Sequence, residues 1–329
     1  MLKILINTLI GLVLIYIWSR FVDLNQIVET ISKANLIYLV PVFFFMLLSP
    51  LVRTIRLKIF LGEIKKIPFR DLFFLNGIAV MLNFFIPIRA GEIAKGIYLN
   101  TSYNLDLKKG IVWIFLDRFV DFLAVLLLTG LLLNFVPTKL PPSFGSTVTI
   151  IFVLSLMATY LVVFQLNFTR KMVIFLRGLL IVKYLKIYFD KFTSFILDSF
   201  SILDRHPKDL FLMIVLTIAG YGADALVWYF TFICLGYNQD FFNMYLGQLL
   251  SALTYLVPAA PGYIGSAEAS GLLILSGVFG IESNLSSSMI VLFHILSAIF
   301  VLVFGLISLF NLKIDLGVIL KRALNRGKV

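Results

Sequence analysis

Runs of about twenty apolar residues recur along this chain, at 3–19, 35–52, 111–135, 147–166, 209–235 and 287–311. A helix rises about 1.5 Å per residue, so each run is long enough to cross a hydrocarbon core of ~30 Å. A soluble fold has no room to bury six such segments. Charged residues make up only 14% of the 329 positions, against roughly a quarter in soluble domains. The chain reads as an all-α polytopic membrane protein.

The formal net charge of +11 belongs to this topology rather than to nucleic acid. Basic residues gather in the connections 53–71 and 167–208 and in the tail 312–329, whereas 236–286 contains no Lys or Arg. Cytoplasmic loops collect such residues, so both termini are expected in the cytoplasm of a cell-membrane protein. The first apolar run lacks a small-residue cleavage site before Trp18 and Arg20 and reads as a retained span. The single cysteine, Cys234, excludes an intrachain disulfide, and the two histidines, His206 and His294, have no metal-ligand spacing. No metal or other cofactor is implied.

Two further apolar segments are interrupted, 72–100 by PIRAGEIAKG and 241–281 by VPAAPGYIGSAEAS. The first is flanked by basic connections and the second by non-basic ones. Each therefore enters and leaves on one face, as a re-entrant hairpin; two complete spans per segment satisfy the same parity. The expected architecture is six full transmembrane helices plus two re-entrant hairpins. Displacing the chain by about 175 positions lays 35–52 on 209–227, the first hairpin on the second, and 111–135 on 287–311. This divides a single membrane domain, 1–329, into a first repeat, 35–166, an amphipathic cytoplasmic helical connection, 167–208, and a second repeat, 209–311. Three crossings separate the two starts, so the second repeat is inverted. Paired interrupted segments in inverted repeats point to a transporter with its site near the midplane.

The interruptions carry the chemistry. Glu92 is three residues from both Arg89 and Lys95, so all three share one helix face. Pro87 precedes the helix start and Gly91 permits close backbone approach. A half-helix N-terminus beside Arg89 suits a phosphate or carboxylate; otherwise Arg89 and Glu92 simply lock the hairpin. In the following span Asp117 and Asp121 share a face, with Arg118 about 100° away. They pair with the hairpin and line a cavity, or else snorkel to water. Pro258, Pro261, Gly262 and Gly265 break the second segment, and Glu268 either counters Arg89, carries a proton, or caps a helix. Arg53, Asp224 and His294 are secondary candidates; Arg53 and its neighbour Arg56 end a span at the cytoplasmic face, where they gather anionic head groups or else are topogenic.

Three blocks, PIRAGEIAK (87–95), DRFVD (117–121) and PGYIGSAE (261–268), occur in this order. In them the chain resembles the flippase-like membrane domain family named after lysylphosphatidylglycerol synthase, over nearly its whole length. The chain departs from that family at His294, where an arginine is common, and at Tyr263, where a glycine is usual. The resemblance implies lipid translocation without the aminoacyl-transferring domain, and no enzymatic activity. The expected substrate is a phospholipid or polyprenyl-phosphate lipid with an anionic head group. The partner it implies is an envelope-biosynthesis enzyme. Rival readings are a membrane-embedded lipid-linked glycosyl or phosphoryl transferase and a non-transporting accessory subunit. There is no P-loop.

Overall fold

A computed structural model describes residues 2–62, 65–86, 90–180, 182–200, 207–254 and 260–313. The described residues fold into helices α1 (Leu2–Ser19), α2 (Leu24–Ser32), α3 (Leu39–Gly62), α4 (Phe69–Phe85), α5 (Ala90–Tyr103), α6 (Leu107–Leu132) and α7 (Pro142–Phe164). There follow α8 (Leu166–Leu179), α9 (Lys183–Phe200), α10 (Pro207–Cys234), α11 (Phe241–Thr254), α12 (Ser266–Leu272) and α13 (Ser283–Leu312). A 3-10 turn at Leu36–Tyr38 leads into α3, and another at Pro261–Tyr263 precedes α12, which continues as a π-helical turn, Leu273–Val278.

Four helical segments among the described residues are long and apolar enough to span a bilayer: Leu36–Gly62, Pro142–Leu161, Phe211–Cys234 and Ser283–Leu312. The bent pair α1–α2 makes a fifth if it counts as one span. Of the six runs read from sequence, 3–19 and 111–135 are not among these four; they form α1 and α6. α6 has ample length, 26 residues, but its middle carries Asp117, Arg118 and Asp121. The chain after α1 does not run on as a loop: it turns by 86° into α2, whose N-terminal amides at Asn25 and Gln26 are capped by the Asp23 carboxylate. The connection 167–208 is likewise two helices, α8 and α9, tied by an Arg177–Asp190 ion pair of 2.7 Å.

The outer surface is apolar. Ile150, Val153, Leu154 and Met157 of α7 and Ile295, Ile299, Val303 and Phe310 of α13 all point outward. In water such a continuous face drives aggregation; against acyl chains it is matched. The chain is a multi-pass membrane protein.

Inside, α3 packs along α10, α4 along α13, and α11 against α10 and α6. Small residues permit the closest approach: Gly77 of α4 lies against Phe304 and Ser308, and Gly305 of α13 against Met81. One apolar cluster joins Trp228 and Phe232 of α10, Leu246 and Leu250 of α11, and Met289 and Ile290 of α13.

The N-terminal elbow is tied to the start of α13. Trp18 Nε1 donates to Ser287 Oγ at 3.1 Å, and the Asp23 amide to Asn284 Oδ1 at 2.9 Å. Gly11 of α1 meets the turn before α12 with no space for a side chain on either strand of the contact: Gly11 abuts Ala260 and the Ile264 carbonyl, and Gly265 abuts the Gly11 carbonyl.

Candidate functional site

The broken segments and the central helices enclose a cavity of about 590 Å³, lined by Arg53, Arg56, Asn83, Glu92, Lys95, Asp117, Arg118, Trp228 and His294 among others. A second space of about 530 Å³ adjoins it, sharing Arg53, Asn83, Glu92 and Arg118 and adding Asp121 and Asp224. Charges gathered this way inside an apolar helix bundle are costly unless they are paired.

Arg56 shows how the cost is met. Its side chain is 2% exposed and its guanidinium sits between the two carboxylates of α6. Nη2 lies 2.8 Å from Asp117 Oδ1 and donates to Asp121 Oδ2 at 3.0 Å. Nη1 pairs with Asp121 Oδ1 and donates to Thr217 Oγ1 of α10 at 2.6 Å. The planar fork of arginine fits this two-carboxylate clamp. Asp117 and Asp121 lie one turn apart and so present both acceptors on one face. Arg118 closes the network from the side, 2.7 Å from Asp117 Oδ2 and 3.4 Å from Asp121 Oδ2. It is the outer member, with 38% of its side chain exposed.

Arg53, one turn before Arg56, pairs with Asp224 of α10 at 2.8 Å and lies over the Tyr221 ring at 5.3 Å. The wall between α3 and α4 is polar too. Pro50 lacks an N–H, its carbonyl accepts the Thr54 hydroxyl at 2.7 Å, and Asn76 Nδ2 of α4 donates to that hydroxyl at 2.8 Å.

The first broken segment folds back on itself. α4 ends at Phe85, α5 starts at Ala90, and Asn83 Oδ1 accepts the Gly91 amide at 2.8 Å. Gly91 presses on the Ala79 backbone, where a β-carbon would overlap the carbonyl. Glu92 and Lys95 pair at 3.7 Å on the shared face. Pro87 and Arg89 lie outside the described residues, as does Pro258.

In the second broken segment Gly262 and Gly265 have φ of 69° and 80°, the left-handed region that glycine enters without strain. Pro261 starts the turn. Glu268, at the third position of α12, accepts the Gly265 amide at 2.7 Å, and its other oxygen lies 2.5 Å from His294 Nδ1.

Sequence reasoning had Asp117 or Arg118 pair with the first hairpin or else snorkel, and Glu268 counter Arg89, carry a proton or cap a helix. The structure joins Asp117, Arg118 and Asp121 to Arg56 and brings Glu268 to His294 and to the Gly265 amide that it caps, while Arg89 lies outside the described residues. Sequence reasoning left Arg56 between a head-group contact and a topogenic charge, without its two carboxylate partners. The signal that marks it is charge accounting: two carboxylates on one face of a span need a buried cation, and Arg56 lies one turn from Arg53 on a largely apolar helix. Trp228 was also missed. It lines the cavity, and its indole N–H has no hydrogen-bond partner among the described residues.

Residues 4–305 match the family described as lysylphosphatidylglycerol synthase TM region. A curated relative, a UPF0104 membrane protein of Methanocaldococcus jannaschii, is 23% identical over 243 residues, covering 70% of this chain and 94% of that protein. No solved structure matches.

Proposed function

The chain belongs to the lysylphosphatidylglycerol synthase TM-region family, and from that membership and its cavity we propose that it moves a lipid with an anionic head group across the cell membrane. The family region is the membrane part of such synthases, distinct from the catalytic domain, and this chain is accordingly a membrane module rather than a catalyst.

The observation that carries the reading is the polar cavity of about 590 Å³ within an apolar bundle. Its volume falls in the range of small-ligand sites, roughly 300–1,000 Å³. It is lined both by charged groups and by outward-facing Val80 and Leu273, the latter 69% exposed. A head group enters beside these two residues while its acyl or prenyl chains stay in lipid. Arg118 and Arg53, the more accessible cations, receive the phosphate together with Arg89. Glu92, Lys95, Asp117 and Asp121 fix the polarity of the wall, and the indole N–H of Trp228 offers a further donor.

Helix lengths support two re-entrant hairpins within six full spans. α5 and α11 have 14 residues each, about 21 Å, short of a core of ~30 Å. Reciprocal packing supports the inverted repeat 35–166 and 209–311. The leading helices α3 and α10 pair centrally, α4 of the first hairpin packs on α13, and α11 of the second packs on α6. The amphipathic pair α8–α9, with Lys171, Lys186 and Lys191 beside exposed Phe175, Leu179 and Tyr188, lies in the cytoplasmic interface, with both termini on the same side.

The test is co-purified lipid. Wild type in native-lipid particles is expected to enrich one anionic lipid by mass spectrometry, and Arg118→Ala and Arg89→Ala to lose it. Bulk-membrane composition in all three rejects the head-group site.

A further inference from the structure

His294 is held at both ring nitrogens. Nδ1 lies 2.5 Å from Glu268 Oε1, and Nε2 lies 2.7 Å from the Gly262 carbonyl oxygen. The other Glu268 oxygen is occupied, accepting the Gly265 amide at 2.7 Å. A carbonyl only accepts, so Nε2 carries a proton. The Nδ1–Oε1 contact then needs one more. Either an imidazolium donates to the carboxylate, or a protonated Glu268 donates to a neutral ring. Both descriptions have the same composition: one exchangeable proton between the two side chains and no net charge. Without that proton two lone pairs face each other across 2.5 Å, and one uncompensated negative charge stands in the cavity wall.

We propose that the His294–Glu268 pair is a proton-binding site that couples head-group passage to a proton gradient. This rests on the transport reading given above. The His294 ring lines the cavity, and the two side chains are 15% and 9% exposed, so the proton exchanges through the cavity. Both glycines bonded to the pair belong to the left-handed turn that precedes α12. Proton occupancy therefore decides whether this turn stays fastened to α13. Around the pair, the uncharged ring of Phe84 from α4 lies 5.9 Å from the imidazole and 5.8 Å from the Tyr263 ring of the turn; α1 meets the turn through Gly11. The charged groups that share the cavity are Arg53 and Arg56 of α3, Glu92 and Lys95 of α5, and Asp117 and Arg118 of α6.

Glu268→Gln is the informative variant. Its amide NH2 donates to Nδ1 and its carbonyl accepts the Gly265 amide. Every hydrogen bond survives, and the exchangeable proton is gone. Proteoliposomes of phosphatidylethanolamine and phosphatidylglycerol, with a fluorescent phosphatidylglycerol scored by dithionite quenching, are given a transmembrane gradient of about two pH units. At one proton per lipid this supports an asymmetry of up to roughly 100-fold. Wild type is expected to redistribute the label in the direction the gradient sets, while Glu268→Gln and His294→Gln ignore the gradient. Wild-type movement indifferent to the gradient overturns the coupling and leaves transport standing. No movement in wild type under any gradient counts against the transport reading, and imidazole ¹⁵N resonances then decide the proton site alone. In a His206→Asn background His294 is the sole histidine; in a scan over about pH 5–9, which brackets the ordinary imidazole range, its resonances are expected to move with pH and to stay fixed in Glu268→Gln. Identical spectra for the two proteins across that range overturn the site.

Discussion

Replacing Arg56 by Met removes the cation between Asp117 and Asp121 while keeping an apolar side chain of similar length. The two carboxylates, one helical turn apart, are then left with Arg118, whose side chain is 38% exposed. At a separation of about 6 Å and an effective dielectric of ~20, their repulsion is roughly 3 kcal/mol. Truncating one partner of a buried ion pair costs about 3–5 kcal/mol. Arg56→Met is therefore expected to lose about 3–5 kcal/mol of unfolding free energy. Adding Asp121→Leu restores the balance of charge and keeps the 2.7 Å pair between Asp117 and Arg118, so the double variant is expected to regain more than half of the loss. Unfolding in mixed micelles titrated with dodecyl sulfate, followed by tryptophan fluorescence, gives both values and their coupling. A loss below about 1 kcal/mol for Arg56→Met, or a double variant no more stable than the single, refutes the account of Arg56 as the cation that permits two buried carboxylates.

Three further outcomes are expected from the same assay. Gly91→Ala, whose β-carbon meets the Ala79 backbone, costs at least about 1–3 kcal/mol, whereas Gly96→Ala, with nothing within 4 Å of the added carbon, is neutral or stabilises by up to ~1 kcal/mol; equal effects at the two positions contradict the hairpin packing. Asn83→Ala strands the Gly91 amide and costs about 1 kcal/mol, and a matching increase in deuterium exchange at Gly91 locates the damage. Arg177→Ala breaks an ion pair whose side chains are 50% and 44% exposed, so a change within about 0.5 kcal/mol is expected, and a larger one shows that α8 and α9 depend on this pair.

What the sequence made legible was local. The breaks around 87–89 and 255–265 are written in Pro, Gly and charge, and the 117–121 carboxylates announce a shared face by spacing alone. The three ordered blocks were enough to find the family. What escaped was long-range pairing. Arg56 meets partners 65 and 161 positions away, and no helical periodicity carries that information. His294 looked like an isolated polar residue because its partners lie on another helix and a turn, 26 and 32 positions away. The elbow after α1 was hidden for a different reason: α2 is nine residues long, and its length and polarity are those of a loop until Asp23 caps it.

The contact between Gly11 and Gly265 has a mechanical consequence. α1 grips the turn that precedes α12. Any stroke that shifts Gly262–Gly265 must carry α1 with it, and through the Trp18 and Asn284 contacts must also load the start of α13. A probe on α1 therefore reports any displacement of that turn, from the helix whose Ile10 and Leu14 also line the cavity.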